Sequence, residues 1–196
     1  MMIKYYSNKI YIILFAFFLL SHCAEVVLGG ASKTVLVSKE NRSIGTYVDD
    51  TLIKAQLKNE YFSTNETIFF NVDVEVNEGR VLLTGTVETS DLRIEATRRA
   101  WGINGVISVL NELQISNSDS ILDYADDLVI STKIRAKILL DSNINNLNFS
   151  IETVNGIVYI LGIAQDQKEV NHILEIINSV YGVEEIIDYI RIIENS

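Results

Sequence analysis

Histidine, cysteine and proline are nearly missing from this chain, and each shortage narrows what it can do. Only His22 and His172 are present, too few for a histidine-built zinc site or a Ser-His-Asp relay. Cys23 is the single cysteine, which excludes an internal disulfide. Proline is absent while Ile and Asn are plentiful, a bias that reads as that of an AT-rich genome rather than as a functional device. Basic charge is also scarce: 16 Lys and Arg against 26 Asp and Glu leave a net charge of −10. Such a balance argues against general nucleic-acid binding, whose affinity comes mainly from neutralising phosphate.

The first residues differ from the rest. Lys4 and Lys9 precede an apolar run from Ile10 to Leu20, and no acid occurs before Glu25, the pattern of a secretory leader over residues 1–22. The run falls short of the roughly 20 residues a transmembrane helix needs. Leu20-Ser21-His22-Cys23 follows it and resembles the lipobox at which bacteria acylate the cysteine, with His22 standing where a small residue is usual. Cys23 is therefore the expected lipidation site, opening a linker over residues 23–45. A cut after Ala31, which would leave a soluble periplasmic protein, is the alternative. Loss of residues 1–22 removes two positive charges and takes the net charge from −10 to −12.

Behind the leader lies a repeat. An offset of 77 aligns residues 47–115 with 124–192 without a gap. Tyr47, Asp49, Asp50 and Ile53 pair with Tyr124, Asp126, Asp127 and Ile130; Gly79, Val81 and Gly85 pair with Gly156, Val158 and Gly162. Ile53, Leu57, Tyr61 and Phe62, and their counterparts Ile130, Ile134, Ile138 and Leu139, have helical spacing. Each Asp pair is expected to cap the start of its helix. Alternating strands follow, turned at Glu78-Gly79 and Asn155-Gly156, where a type I′ turn needs positive φ at both residues. Gly85 and Gly162 suggest a bulge or a close approach of the following helix. Helices holding Leu92, Ala96, Ala100 and Ile103, or Val170, Ile173, Leu174, Ile177 and Val180, then lead through Gly-Val into third strands at Ile107 to Ile115 and Glu184 to Ile192. The expected fold is α+β: two tandem α-β-β-α-β modules, each a three-stranded sheet packed by two helices, at residues 46–115 and 121–193, joined by a linker over 116–120.

The same residues offer little chemistry. Asp49-Asp50 and Asp126-Asp127 are the candidates for acid-base work, but neighbouring residues point apart and their repetition suits capping better. Arg93, Arg98 and Arg99, with Glu95 among them, read as a solvated helix face. Trp101 reads as core packing, with an interface anchor second, and His172 as a surface or boundary residue. No enzyme activity, cofactor, metal or small-molecule substrate is expected.

The order of Asp-led helix, hairpin glycine, strand glycine and Gly-Val before the last strand resembles the BON domain, over nearly all of residues 46–193. Arg42-Ser43-Ile44-Gly45-Thr46-Tyr47-Val48-Asp49-Asp50 resembles the segment leading into the first module of dual-BON outer-membrane lipoproteins. The resemblance implies a non-enzymatic protein on the periplasmic face of the outer membrane that binds anionic phospholipid and supports envelope integrity. Ala24, following the cysteine, accords with outer-membrane sorting. It also implies that the first helix of the second module meets the lipid, here through Leu128, Val129 and Ile130 beside Lys133, Arg135 and Lys137. An adaptor docking on envelope assembly proteins is the alternative.

Overall fold

Two helical periods and one hairpin per repeat build each module. The computed structural model describes residues 44–116 and 121–193; the leader, His22, Cys23, Ala24 and Ala31 lie outside the described residues. In the first module, helix α1 (Ile44–Thr64) and a short helix α2 (Glu66–Asn71) precede β1 (Val72–Asn77) and β2 (Arg80–Val87). Helix α3 (Ser90–Trp101) then leads to β3 (Ser108–Asn111) and β4 (Gln114–Ile115). The second module runs α4 (Ile121–Leu140), a 3-10 turn (Asn146–Asn148), β5 (Phe149–Val154), β6 (Ile157–Ala164), α5 (Gln167–Asn178) and β7 (Glu185–Ile192). In both, the first two strands are antiparallel and the last returns parallel to the middle one, as a helical crossover requires.

Local chemistry explains most boundaries. Glu78 and Gly79, like Asn155 and Gly156, all have positive φ, the backbone that a two-residue hairpin turn demands. The Thr89 hydroxyl caps α3 by accepting from the Leu92 amide, and the Asp166 carboxylate caps α5 by accepting from Lys168 and Glu169. Helix α2 was not expected. Asn65 caps it and Ile68 anchors it in the core, so three apolar residues that could equally have opened a strand form a turn of helix instead. The third strand of module one is broken at Glu112 and Leu113, where the Asn111 side chain accepts from the Leu113 amide at 3.2 Å.

The repeated strand glycines serve a purpose other than the expected bulge or helix approach. A Cβ on Gly85 would stand 2.2 Å from the carbonyl oxygen of Asn71, and one on Gly162 would stand 2.5 Å from that of Asn148. What approaches is the chain just before the first strand of each module, crossing over the middle strand too closely for any side chain.

Alternation along the strands creates four layers. Val72, Val74, Val76, Val81 and Leu83 meet α1 and α3 in one core, while Ile151, Val158 and Ile160 meet α4 and α5 in another. Leu57 and Ile134, wholly buried at matching positions, each contribute on the order of 1.5–3 kcal/mol. The opposite sheet faces meet each other: Leu82 and Leu110 pack with Val154, Tyr159, Leu161, Ile187 and Tyr189 in a third cluster. The result is an α/β/β/α sandwich within the compact unit Lys39–Ser196.

This seam between the sheets is hydrogen-bonded as well as apolar. Arg80 donates to the Tyr189 carbonyl at 3.0 Å and the Gly162 carbonyl at 3.1 Å. Gln114 donates to the Val154 carbonyl and accepts from the Asn155 amide group, and the Tyr189 hydroxyl donates to Glu112. Burial lowers the Arg80 pKa, with Arg191 acting in the same direction.

Candidate functional site

The repeated Asp pairs, the first candidates for chemistry, prove to be structural. Asp50 and Asp127 do not cap α1 and α4, which begin six residues earlier at Ile44 and Ile121. Each is buried and turned toward the hairpin of its own module. The two Asp50 oxygens accept from the Glu78 and Gly79 amides, both at 2.8 Å. Those of Asp127 accept from Asn155 at 2.7 Å and Gly156 at 2.9 Å. A carboxylate with both oxygens engaged by turn amides is a clamp between helix and hairpin. Asp49 and Asp126 face solvent, so neither pair forms an acid-base couple.

Helix α4 carries the surface of interest. Its inward residues are Asp127, Ile130, Ser131, Ile134 and Ile138. Ile130 is thus a core residue, 5% exposed, and not part of the contact face on which the sequence reading placed it. At about 100° per residue, the outward face presents Leu128, Val129, Thr132, Ala136, Leu139 and Leu140, all exposed. Among the described residues no carboxylate interrupts that stripe. Arg135 lies along one border, and Lys133 and Lys137 lie along the other. The offset of 77 supplies a control, since the matching positions of α1 are Thr51, Leu52, Ala55, Asn59, Phe62 and Ser63, with Gln56 and Glu60 replacing the two lysines. Only module two joins an apolar outer stripe to basic borders.

The basic residues differ in availability. Arg135 is spoken for: it pairs with Glu152 at 2.9 Å and also donates to the Ile151 carbonyl. Lys137 donates to the Ser179 hydroxyl at 3.2 Å, which leaves its charge uncompensated. Lys133 has no ion pair among the described residues. It lines a recess of about 580 Å³ with Val129, Gly156 and Tyr181, whose wall also holds Asp126, Asp127 and Glu184, and Tyr181 is 93% exposed. The sequence reading missed this aromatic, whose only signal was its place beside Gly182 at the end of α5. Tyr124 adds another exposed ring one turn before Leu128.

The Glu152 carboxyl, behind Arg135, is shifted strongly. Burial pushes it up to about 7 against the pull of Arg135, and Glu75 and Asp73 push it the same way. Other sequence candidates fall elsewhere. Arg99 is held by Glu95 at 2.6 Å and Glu60 at 2.5 Å. His172 pairs with Asp141 at 2.8 Å at the surface. Trp101 is 53% exposed and is not core packing: Ala96 and Ala100 fill the buried side of α3.

These modules define a class. The family model of the BON domain matches residues 49–117 and 126–194, and the chain belongs to the BON-domain family. Over 191 residues it is 28% identical to the outer membrane lipoprotein DolP of Haemophilus influenzae, covering 95% of this chain and 97% of that one. It is 27% identical over 152 residues to osmotically-inducible protein Y of Escherichia coli, covering 76% of each. An uncharacterized protein in the gshII 5′ region of Anaplasma centrale is 41% identical over 146 residues, covering 74% of this chain and 95% of that one. The chain is a two-module BON-domain protein.

Proposed function

We propose that this protein is a non-enzymatic lipoprotein on the periplasmic face of the outer membrane that binds anionic phospholipid through the outward face of α4 and supports envelope integrity, anchored by an acyl group on Cys23. The observation that carries the reading is the largely apolar stripe from Leu128 to Leu140, in which Thr132 is the one polar side chain, bordered by Lys133 and Lys137 and flanked by Tyr181 and Tyr124. A helix lying in the interface combines burial of such a stripe with short-range attraction of lysines to headgroups. Interfacial tyrosines suit the same depth. The attraction is local, which reconciles it with a net charge of −10. The lipoprotein DolP, 28% identical nearly end to end, supports the location and the anchor.

Co-sedimentation of residues 24–196 with vesicles tests this. Pelleting is expected with phosphatidylglycerol-containing vesicles and not with phosphatidylcholine alone. The pair Leu128→Asp and Val129→Asp should weaken binding at least about tenfold, the equivalent of about 1.4 kcal/mol and less than the burial of one such side chain. Unchanged pelleting by that variant would refute the choice of surface. The mass of the mature N-terminus tests the anchor separately, since an unacylated start near Ser32 is the result of the alternative cut.

A further inference from the structure

Module one carries a second surface, which the lipid reading does not use. Helix α3 and the sheet edge formed by β3 and β4 enclose an open groove of about 730 Å³, walled by Arg93, Ile94, Arg98, Trp101, Asn111 and Ile115. Ile94, Trp101 and Ile115 are exposed, so the described residues leave an apolar floor uncovered. Among the described residues no carboxylate lines it, although the chain as a whole is acidic. Arg98 has no ion pair or hydrogen bond among the described residues, whereas the neighbouring Glu95 is already taken by Arg99. Arg93 leans across the edge, donating to the Asn111 carbonyl at 3.2 Å.

The second module shows what this place looks like without that character. At the offset of 77 the same six positions hold Val170, Asn171, Glu175, Asn178, Asp188 and Ile192. Ile94, Trp101 and both arginines have given way to Asn, Glu and Val, an acid replaces Asn111, and only Ile115 is kept, as Ile192. Two copies of one fold, with matching cores, thus differ in charge sign and apolarity at this groove. Folding does not require the module-one set.

We infer that this groove docks an extended acidic segment of another protein, laid along the β3–β4 edge with an apolar side chain between Ile94 and Trp101 and carboxylates on Arg93 and Arg98. Strand β3 ends the sheet order β1-β2-β3, with β4 also paired only to β2, so among the described residues no strand occupies the outer side of this edge. A sheet edge offers main-chain hydrogen bonds to an added strand, and the adjoining wall reads its alternate side chains. Planar guanidiniums favour carboxylates, which they hold with paired hydrogen bonds. The groove is open along its length and would leave an acyl chain in water, which disfavours a lipid tail as occupant.

Trp101 is the only tryptophan in the chain, so its emission reports on the groove directly. The probe is a nine-residue peptide alternating valine and glutamate around a central phenylalanine, compared with the same peptide bearing lysine for glutamate. A saturable change in Trp101 emission is expected with the acidic peptide, at least tenfold tighter than with the lysine peptide. Arg98→Glu should weaken it at least tenfold, and Ile94→Asp, followed by calorimetry, should abolish it. Glu175→Lys in module two should leave it unchanged. Equal affinity for the two peptides, or no effect of Arg98→Glu in a variant of normal circular dichroism, would overturn the inference. A Trp101 emission shift produced by anionic vesicles and not by the peptide would overturn it too, by assigning the groove to lipid.

Discussion

Replacing Asp50 with alanine separates a helix clamp from a helix cap. A lost N-cap costs about 1 kcal/mol. The clamp costs more, because Asp50 is 4% exposed and accepts two amide hydrogens at 2.8 Å from a turn 28 and 29 residues away. Hydrogen bonds to a charged group contribute roughly 1.5–3 kcal/mol each. The Glu78 amide can reach water once released and the Gly79 amide stays buried, so the sum belongs near the low end, at about 3 kcal/mol. For a cooperative unit of about 150 residues, 1 kcal/mol displaces Tm by about 2–4 °C, which places the loss for Asp50→Ala near 6–12 °C. Asp49→Ala, on the exposed neighbour, should move it by less than about 2 °C. Differential scanning calorimetry of the two variants decides the matter, and hydrogen exchange at Glu78 and Gly79 should accelerate in the first alone. A loss for Asp50→Ala of under about 3 °C, or one equal to that of Asp49→Ala, would refute the clamp.

Glu152, pushed up to about 7 by burial, should make stability depend on pH. Between the ordinary glutamate value and 7 the native state holds a proton that the unfolded chain has released, so stability falls as pH rises through that window. Glu152→Gln should flatten this part of a Tm-versus-pH curve; an unchanged slope would show that the carboxyl is not the source. Arg80→Met should loosen the seam between the sheets by removing the charge-assisted bonds to the Tyr189 and Gly162 carbonyls, at a cost of about 3 kcal/mol. Urea unfolding should then separate into two transitions, and a single transition at the unaltered midpoint would argue that the apolar cluster alone holds the seam.

The features legible in the sequence were those set by near neighbours. Helical spacing found Leu57 and Ile134, and Glu78-Gly79 and Asn155-Gly156 announced their turns, because 3.6-residue and two-residue rules act within a few positions. The Asp pairs misled for the same reason: a local rule offered capping, while the true partner of Asp50 lies across the module at a distance no spacing rule spans. Trp101 looked like core because of its size, yet the small Ala96 and Ala100 take the buried side of α3. On α4 the inward isoleucines gave the periodic signal, and the outward stripe of Leu, Val and Ala blurred it. Ile130 carried that inward period yet was placed on the contact face by the family resemblance, when it belongs to the core, and Tyr181, brought to Val129 and Lys133 by the fold, went unseen.

The four-layer order fixes a direction as well as a core. Helices α4 and α3 occupy opposite outer layers, each backed by its own sheet. With α4 resting on a bilayer, two sheets about 10 Å apart and helix layers about 10 Å thick stand between the lipid and α3. The protein then acts as a pedestal, holding the Trp101 groove roughly 30 Å above the membrane and facing the aqueous space, where a neighbouring envelope protein could reach it without leaving its own place.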